Sequence, residues 1–511
     1  MSFENNKRIA QNTLLLYSRM LLTIVVGLYT SRVVLNTLGV NDYGVYNVVG
    51  GIVAMLSFLN SALTAASQRF IAFELGRDDI SKLKKVFSTS VTIHATLAII
   101  IFVIAETIGL WFVNTHLNID ANRMIAANWV YQFSIFTFML MVLSVPYNSC
   151  IVAHEHMNAF AYISILEVML KLLIVYLLLV INYDKLITYC ILVFVVALVV
   201  RLTYGIYCKQ HFEECTYHFI FDKGLFKEMF SFAGWSAVGN LGFSFKDQAA
   251  NVILNLFFGT VVNAARGVAL QVNGIIAGFS TNFMMALNPQ ITKLYASGNI
   301  KGSMNLVYAG SRFSFFLLAF IAIPVMINLD YLLKLWLGTM PKYTSNFLFL
   351  ALVAALINSM AQPLVTALQA TGKIKVFQIS LCIVMLCELP LAYIILHFGG
   401  KPYMAMYPTV FVVFIGLFVR FIVLKRQVSA YKLRYFTFSI VGKNILLGII
   451  CFIAAYYMHK AFPINFGTFI LTSVIACLIV ALVVYVFGIT RNERAIFNSK
   501  LKFFLLTKSK T

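Results

Sequence analysis

Charge is what this chain has least of. Asp, Glu, Lys and Arg make up 11% of its 511 residues, against about a quarter in an ordinary soluble domain. With 61% of the residues hydrophobic, such a chain cannot cover a water-facing surface, and lipid must be its solvent. No hydrophilic stretch exceeds about twenty residues, which excludes a soluble domain beside the membrane part. The expected outer loops are all short, which leaves no room for the large catalytic loop of a membrane polysaccharide polymerase or ligase. The eight cysteines are scattered, so no disulfide framework is indicated. Cys208 and Cys215 share the longest loop on one face and read as apolar filler in a reducing compartment. No small-residue cleavage site follows the first apolar run, which is also too long for a cleaved signal. No motif calls for a cofactor or a metal: Gly50-Gly51 sits inside a spanning run, with no strand before it.

What is present is a succession of apolar runs, each long enough to cross a hydrocarbon core of ~20 helical residues. They cover residues 13–38, 43–73, 86–113, 124–151, 159–180, 186–207, 229–258 and 261–289, then 304–337, 347–370, 376–398, 403–424, 438–459 and 465–488. Open strands would leave backbone groups unpaired in lipid, so the runs are helices. The expectation is an all-α integral membrane protein with about 14 transmembrane helices.

The net charge of +21 suggests nucleic acid until its distribution is considered. With alternating spans, the basic residues gather on one face: Lys7 and Arg8; Arg77, Lys82, Lys84 and Lys85; Lys425, Arg426, Lys432 and Arg434; and the tail to Lys510. The other face has little beyond Arg123, Lys185, Lys342, Lys401 and Lys460. That asymmetry sets topology, with both termini cytoplasmic, and needs no nucleic-acid partner.

A weak internal repeat runs through the chain. Val34-Leu35-Asn36 recurs as Ile253-Leu254-Asn255, Gln68 and Gly76 as Gln290 and Gly298, and Leu110-Trp111 as Leu335-Trp336. Pro146, Ala153 and Phe160 recur as Pro363, Ala370 and Phe377 with both spacings kept. Order and shift are preserved, which points to two parallel six-helix repeats with a substrate path between them. The expected organisation is an N-terminal half over 1–208, a cytoplasmic linker over 209–227 and a C-terminal half over 228–425. Two accessory helices, 13 and 14, follow over 426–490, and then a basic tail over 491–511. The tail alternates basic with apolar residues (Ile496, Phe497, Leu501, Phe503, Phe504), as an interfacial helix or a solvated tail would.

The first span and the loop after it read Ser31-Arg32, Leu38-Gly39, Asp42-Tyr43-Gly44 and Tyr46. This resembles the amino-terminal signature of the polysaccharide-exporter branch of the multidrug/oligosaccharidyl-lipid/polysaccharide (MOP) superfamily, and specifically a Wzx-type O-antigen flippase. The resemblance implies a V-shaped, MATE-like transporter in the bacterial inner membrane. Its cargo would be a polyprenyl-diphosphate-linked oligosaccharide, moved from the cytoplasmic to the periplasmic leaflet for cell-surface polysaccharide biosynthesis. It also implies coupling to H+ or Na+ and contact with other polysaccharide assembly proteins.

Charges within spans are costly and are therefore candidates for function. Lys246 and Asp247 lie near the middle of span 7. Lys246 suits a phosphate, with Asp247 holding it ready or taking up a coupling proton; the alternative is a structural pair. Arg19, Arg32 and Arg266 offer paired donors that match diphosphate oxygens, or else snorkel to an interface. Glu388 has no obvious local partner, so it either answers a basic residue across the cavity or is a protonated carboxyl; with Glu106 it is a candidate for ion coupling. Glu167 and Lys171 have the i,i+4 spacing of a self-neutralising pair. His154-Glu155-His156 reads as an ordinary turn, matched in the repeat by Thr371-Gly372-Lys373. Uncharged polar residues such as Asn60, Thr64, Gln68, Asn251 and Asn263 concentrate in spans 1, 2, 7 and 8. Those spans are expected to line a hydrated cavity suited to sugar hydroxyls. The competing function is an ion-coupled multidrug exporter of the same superfamily, whose cavity would be acidic and apolar.

Overall fold

The computed structural model describes residues 3–490 and 493–495, apart from 55, 117–118, 120, 182, 219–221, 259, 338–339 and 464. The basic tail, with its expected interfacial helix, lies outside the described residues. The described chain is helical from end to end, with no strand. Ten of its helices are long and apolar enough to cross a membrane, so the protein is a multi-pass membrane protein. They run Ile80–Thr115, Met124–Ala153, Met157–Val180, Lys185–His211, Ile300–Ile327, Thr344–Ala370, Lys375–His397, Pro402–Gln427, Tyr435–Lys460 and Phe466–Gly488. Nine of them coincide with an expected span to within about six residues, while Ile300–Ile327 ends ten residues short of the expected 304–337, whose remainder is the separate helix Leu329–Leu337. Where spans 1, 2, 7 and 8 were expected, the helices are Phe3–Ala54, Ser57–Leu75, Lys223–Phe258 and Thr260–Ala296.

Local chemistry explains where the helices break. Phe3–Ala54 is two helices joined at Gly39, whose φ of 78° and ψ of 169° are open only to glycine at little cost. Asp184 accepts from the backbone N–H groups of Leu186 and Ile187 at the start of Lys185–His211, and Asp79 caps Ile80–Ile104 through Lys82 N–H. Asn465 and Thr468 form a reciprocal capping box at Phe466–Val483. The repeat residues occupy equivalent places. Pro146 and Pro363 each sit inside a helix that ends at Ala153 or Ala370, and Phe160 and Phe377 are buried early in the following helix.

The chain forms two compact units. One comprises residues 1–244, 285–303 and 369–379, and the other 245–284, 304–368 and 380–511. This division follows packing density, a different property from the sequence repeat. In the first unit, Met124–Ala153 is central and packs on Ser57–Leu75, Ile80–Ile104 and Lys185–His211, while Phe3–Ala54 packs on Met157–Val180. Gly76 closes Ser57–Leu75 at a point where a Cβ would stand 2.6 Å from the Lys293 carbonyl oxygen, so glycine permits the approach. The second unit has a continuous apolar core of residues such as Leu254, Ala265, Leu318, Leu333, Leu352 and Leu396. Its outward faces carry Phe, Leu and Ile, as lipid requires.

Candidate functional site

Four of the residues singled out in the sequence meet in the second unit. Lys246 and Asp247 are neighbours on Lys223–Phe258, about 100° apart around the helix, so they cannot share one partner. Lys246 Nζ pairs with Glu388 Oε2 at 3.1 Å, and Thr409 Oγ1 donates to the other oxygen, Oε1, at 2.7 Å. The lysine and glutamate side chains are only 7% and 3% exposed. Asp247 turns to a different helix, where it accepts from Arg266 Nη2 at 2.8 Å. Arg266 Nη1 donates to Asn251 Oδ1 on the asparagine one helical turn beyond Asp247. Arg266 is buried and Asp247 is 41% exposed. The cluster therefore contains two cations and two carboxylates, each cation matched to one acid from another helix.

Sequence reasoning weighed Lys246 against Asp247 and gave Glu388 either an unspecified basic partner elsewhere or a proton. The partner of Glu388 is Lys246, 142 positions away in the chain, a pairing that no periodicity can specify.

The first unit is organised differently. A cavity of about 390 Å³ lies among Ser57–Leu75, Met124–Ala153, Met157–Val180 and Lys185–His211, with Met285 at its edge. Its polar lining is mostly neutral: Asn60, Thr64, Gln68, Thr137, Ser144 and Asn148. Asn60 Oδ1 and Thr137 Oγ1 have no protein partner among the described residues. Among the described residues, the charges on its wall are Glu167 and Lys171, which bond each other at 2.6 Å. Arg19 lies close by on the first helix, donating from Nη1 to Ser164 Oγ at 3.2 Å, with its guanidinium 4.7 Å above the Phe160 ring. The side chain of Arg32 lies outside the described residues.

Glu106 falls in a π-helical turn, Ala105–Gly109, inserted into the third span. Within the turn the Ala105 carbonyl accepts twice, from the Leu110 N–H and from Tyr131 Oη at 2.8 Å. Gly109 has no Cβ to obstruct that ring; one would sit 1.9 Å from the hydroxyl. Gln132 Nε2 donates to Glu106 Oε2 at 3.0 Å, while Oε1 is buried without a partner among the described residues. Such turns recur at functional positions.

A further network was missed in the sequence. Glu155 is buried in the turn after Met124–Ala153 and has a φ of 64°, a conformation that costs a non-glycine residue free energy. Its carboxylate accepts from Gln290 Nε2 and Lys293 Nζ, both at 2.9 Å, and Asn12 Nδ2 reaches its carbonyl at 3.4 Å. The equivalent residue in the repeat is Gly372, at φ 76°. Glutamate where the matching copy has glycine was the available signal.

At the other face, the signature residue Asp42 is bound by Arg123, whose Nε donates to Oδ1 at 2.8 Å. Arg123 Nη1 also reaches Asp184 Oδ2 at 2.5 Å. Burial raises the Asp184 carboxyl, but the hydrogen bond and charge of Arg123, with two backbone N–H donors, outweigh it and hold the group below its ordinary value of 3.8.

The fold is shared with multi-pass membrane transporters of known structure. Residues 236–394 match the MatE family model. An outward-facing multidrug resistance MATE family transporter of the MOP superfamily superposes with a TM-score of 0.71 at 15% identity, covering 83% of this chain and 96% of its own. A MATE transporter from Vibrio cholerae, VcmN, gives 0.71 at 15%, with 84% and 99% covered. A MOP superfamily transporter from Pyrococcus furiosus, in which reverse polarity of the binding pocket suggests a different function, gives 0.68 at 15%, with 83% and 96% covered. No curated protein matches the chain in sequence.

Proposed function

We propose that the chain is an alternating-access flippase of the bacterial inner membrane. It carries a polyprenyl-diphosphate-linked oligosaccharide from the cytoplasmic to the periplasmic leaflet, with both termini cytoplasmic. The observation that carries this reading is the first unit's cavity, whose wall is lined by uncharged hydrogen-bonding side chains and whose one acid, Glu167, is neutralised by Lys171. Sugar hydroxyls need many neutral donors and acceptors, whereas an organic cation needs an acid left to answer it. The resemblance around Ser31 to Tyr46 supports the same cargo.

With Lys246 and Arg266 engaged by carboxylates, the diphosphate contact falls to Arg19 and Arg32 on the first helix. Glu106, with one buried oxygen open, is the coupling carboxylate, for H+ or Na+. Asp247 and Glu388 then hold their cations rather than the coupling ion. The accessory helices fall within 426–490, outside the two repeats.

The test is deletion of the gene in a strain with a displayed surface glycan, followed by leaflet-resolved analysis of lipid-linked intermediates. Accumulation of the complete lipid-linked glycan on the cytoplasmic leaflet is expected. Unchanged glycan display with new sensitivity to cationic drugs would replace this proposal with a multidrug exporter, a reading favoured by the multidrug relative of this fold.

A further inference from the structure

Three of the eight cysteines converge at one end of the first unit. Cys150 is in the last turn of Met124–Ala153, Cys208 is near the end of Lys185–His211, and Cys215 closes the single 3-10 turn Glu213–Cys215 that follows. All three are buried. The Cys208 thiol donates to the Tyr147 carbonyl at 3.4 Å, one helical turn before Cys150. A carboxylate joins them: an oxygen of Glu214 and the sulfurs of Cys150 and Cys215 all lie within 4.8 Å of one another. Glu214 is 3% exposed. Beyond it, His154 Nε2 stands 2.5 Å from Glu214 Oε1, and the imidazole stacks on Phe212 at 4.2 Å.

Apolar filler does not account for this arrangement. Thiols pack as small hydrophobes, but a carboxylate buried among them costs several kcal/mol unless a positive charge answers it. Two sulfurs and a carboxylate oxygen within 4.8 Å of one another, with a third sulfur near the end of the neighbouring helix and an orienting imidazole, are the donor types of a borderline-soft divalent cation. Zn–S bonds of about 2.3 Å place tetrahedral sulfurs roughly 3.8 Å apart, so binding would draw the group together and turn the Cys208 thiol from the Tyr147 carbonyl toward the metal. Four protein donors would then leave no open position, which defines a structural site rather than a catalytic one.

We propose that Cys150, Cys208, Cys215 and Glu214 form a zinc site that fixes the Glu213–Cys215 turn to the ends of two spanning helices, with His154 holding Glu214 from outside. Binding releases the thiol protons to solvent as the thiolates take up the metal. Neither the transport reading nor the fold family is needed for it.

The experiment uses the full chain purified in detergent without chelator. Elemental analysis should find zinc close to stoichiometric. A chelator-treated sample given Co2+ should develop thiolate-to-cobalt charge-transfer absorption. Cys215→Ser should weaken zinc retention roughly tenfold or more, while Cys382→Ser, outside the cluster, should leave it unchanged. Because Cys215→Ser could misfold, the wild-type chain supplies a second readout: zinc should slow alkylation of Cys150, Cys208 and Cys215, and chelator should restore it. Absence of both zinc and the cobalt absorption overturns the site, as does zinc retention indifferent to Cys215→Ser. So does an intact mass, after thiol blocking at lysis, that shows two of the three joined as a disulfide.

Discussion

The two compact units treat polar groups in opposite ways. The second closes one cluster of charges on itself, Lys246 with Glu388 and Arg266 with Asp247, and buries three of the four side chains. The first keeps open space and surrounds it with amides and hydroxyls, two of them with an oxygen that no protein atom among the described residues satisfies. Paired charge makes a rigid, costly joint. Unpaired neutral polarity leaves hydrogen-bonding capacity for a ligand. Sequence alone assigned cationic character to both halves, but in the second Lys246 and Arg266 are each answered by a carboxylate.

The largest effect should come from separating the buried pair. Lys246→Met leaves Glu388 without its cation, and about 3–5 kcal/mol of stability should be lost, read as a fall in detergent melting temperature. Lys246→Met with Glu388→Leu should recover most of that loss. If the double variant is stable but displays no glycan, the pair has a role in transport as well as in packing.

Next is the turn at Glu155. Glu155→Gly keeps the left-handed backbone without strain but removes the acceptor of Gln290 and Lys293. A loss of roughly 1–3 kcal/mol from the unmatched buried donors should exceed the gain from glycine at positive φ. Cross-linking efficiency between cysteines placed at 158 and 294 should fall if the carboxylate ties these ends together.

A smaller effect separates the loop cluster from both. Because Arg123 holds the Asp184 carboxyl below 3.8, its contribution is complete at neutral pH and is lost as pH falls through that depressed value. Arg123→Ala should therefore melt lower than wild type at pH 7, by about 1 kcal/mol or less, and the gap should close in acid below 3.8. A gap that widened in acid would refute the pairing.

The smallest stability effect is expected at the cavity. Glu167→Gln with Lys171→Gln alters a half-exposed pair worth about 0–1 kcal/mol, yet changes the charges that the described residues place on the wall. A several-fold change in glycan export at unchanged melting temperature would mark the cavity as the substrate path. Changed drug resistance with normal glycan display would favour the multidrug alternative.

Much of this fold was legible because its physics is local. Length and apolarity place each helix, and glycine, aspartate and asparagine mark several ends, as at Gly39, Asp184 and Asn465. The sites were less legible because their pairings are remote. Lys246 and Asp247 were conspicuous in the sequence, but their partners come from other helices. Asp42 belonged to the recognised signature without any hint of Arg123. The cysteines looked unremarkable one by one, since Cys150 lies far from Cys208 and Cys215 in the chain. Glu155 was passed over because a turn between spans normally faces solvent, and its left-handed backbone becomes visible only beside Gly372.

The glycine at position 76 also serves as an experimental handle. No side chain fits between it and Lys293, so a single methyl, as in Gly76→Ala, acts as a wedge between two helix ends with no change of charge or hydrogen bonding. A wedge lowers the population of whichever state needs the contact. A ligand that prefers the separated state should then bind more tightly, by the factor through which that population rises.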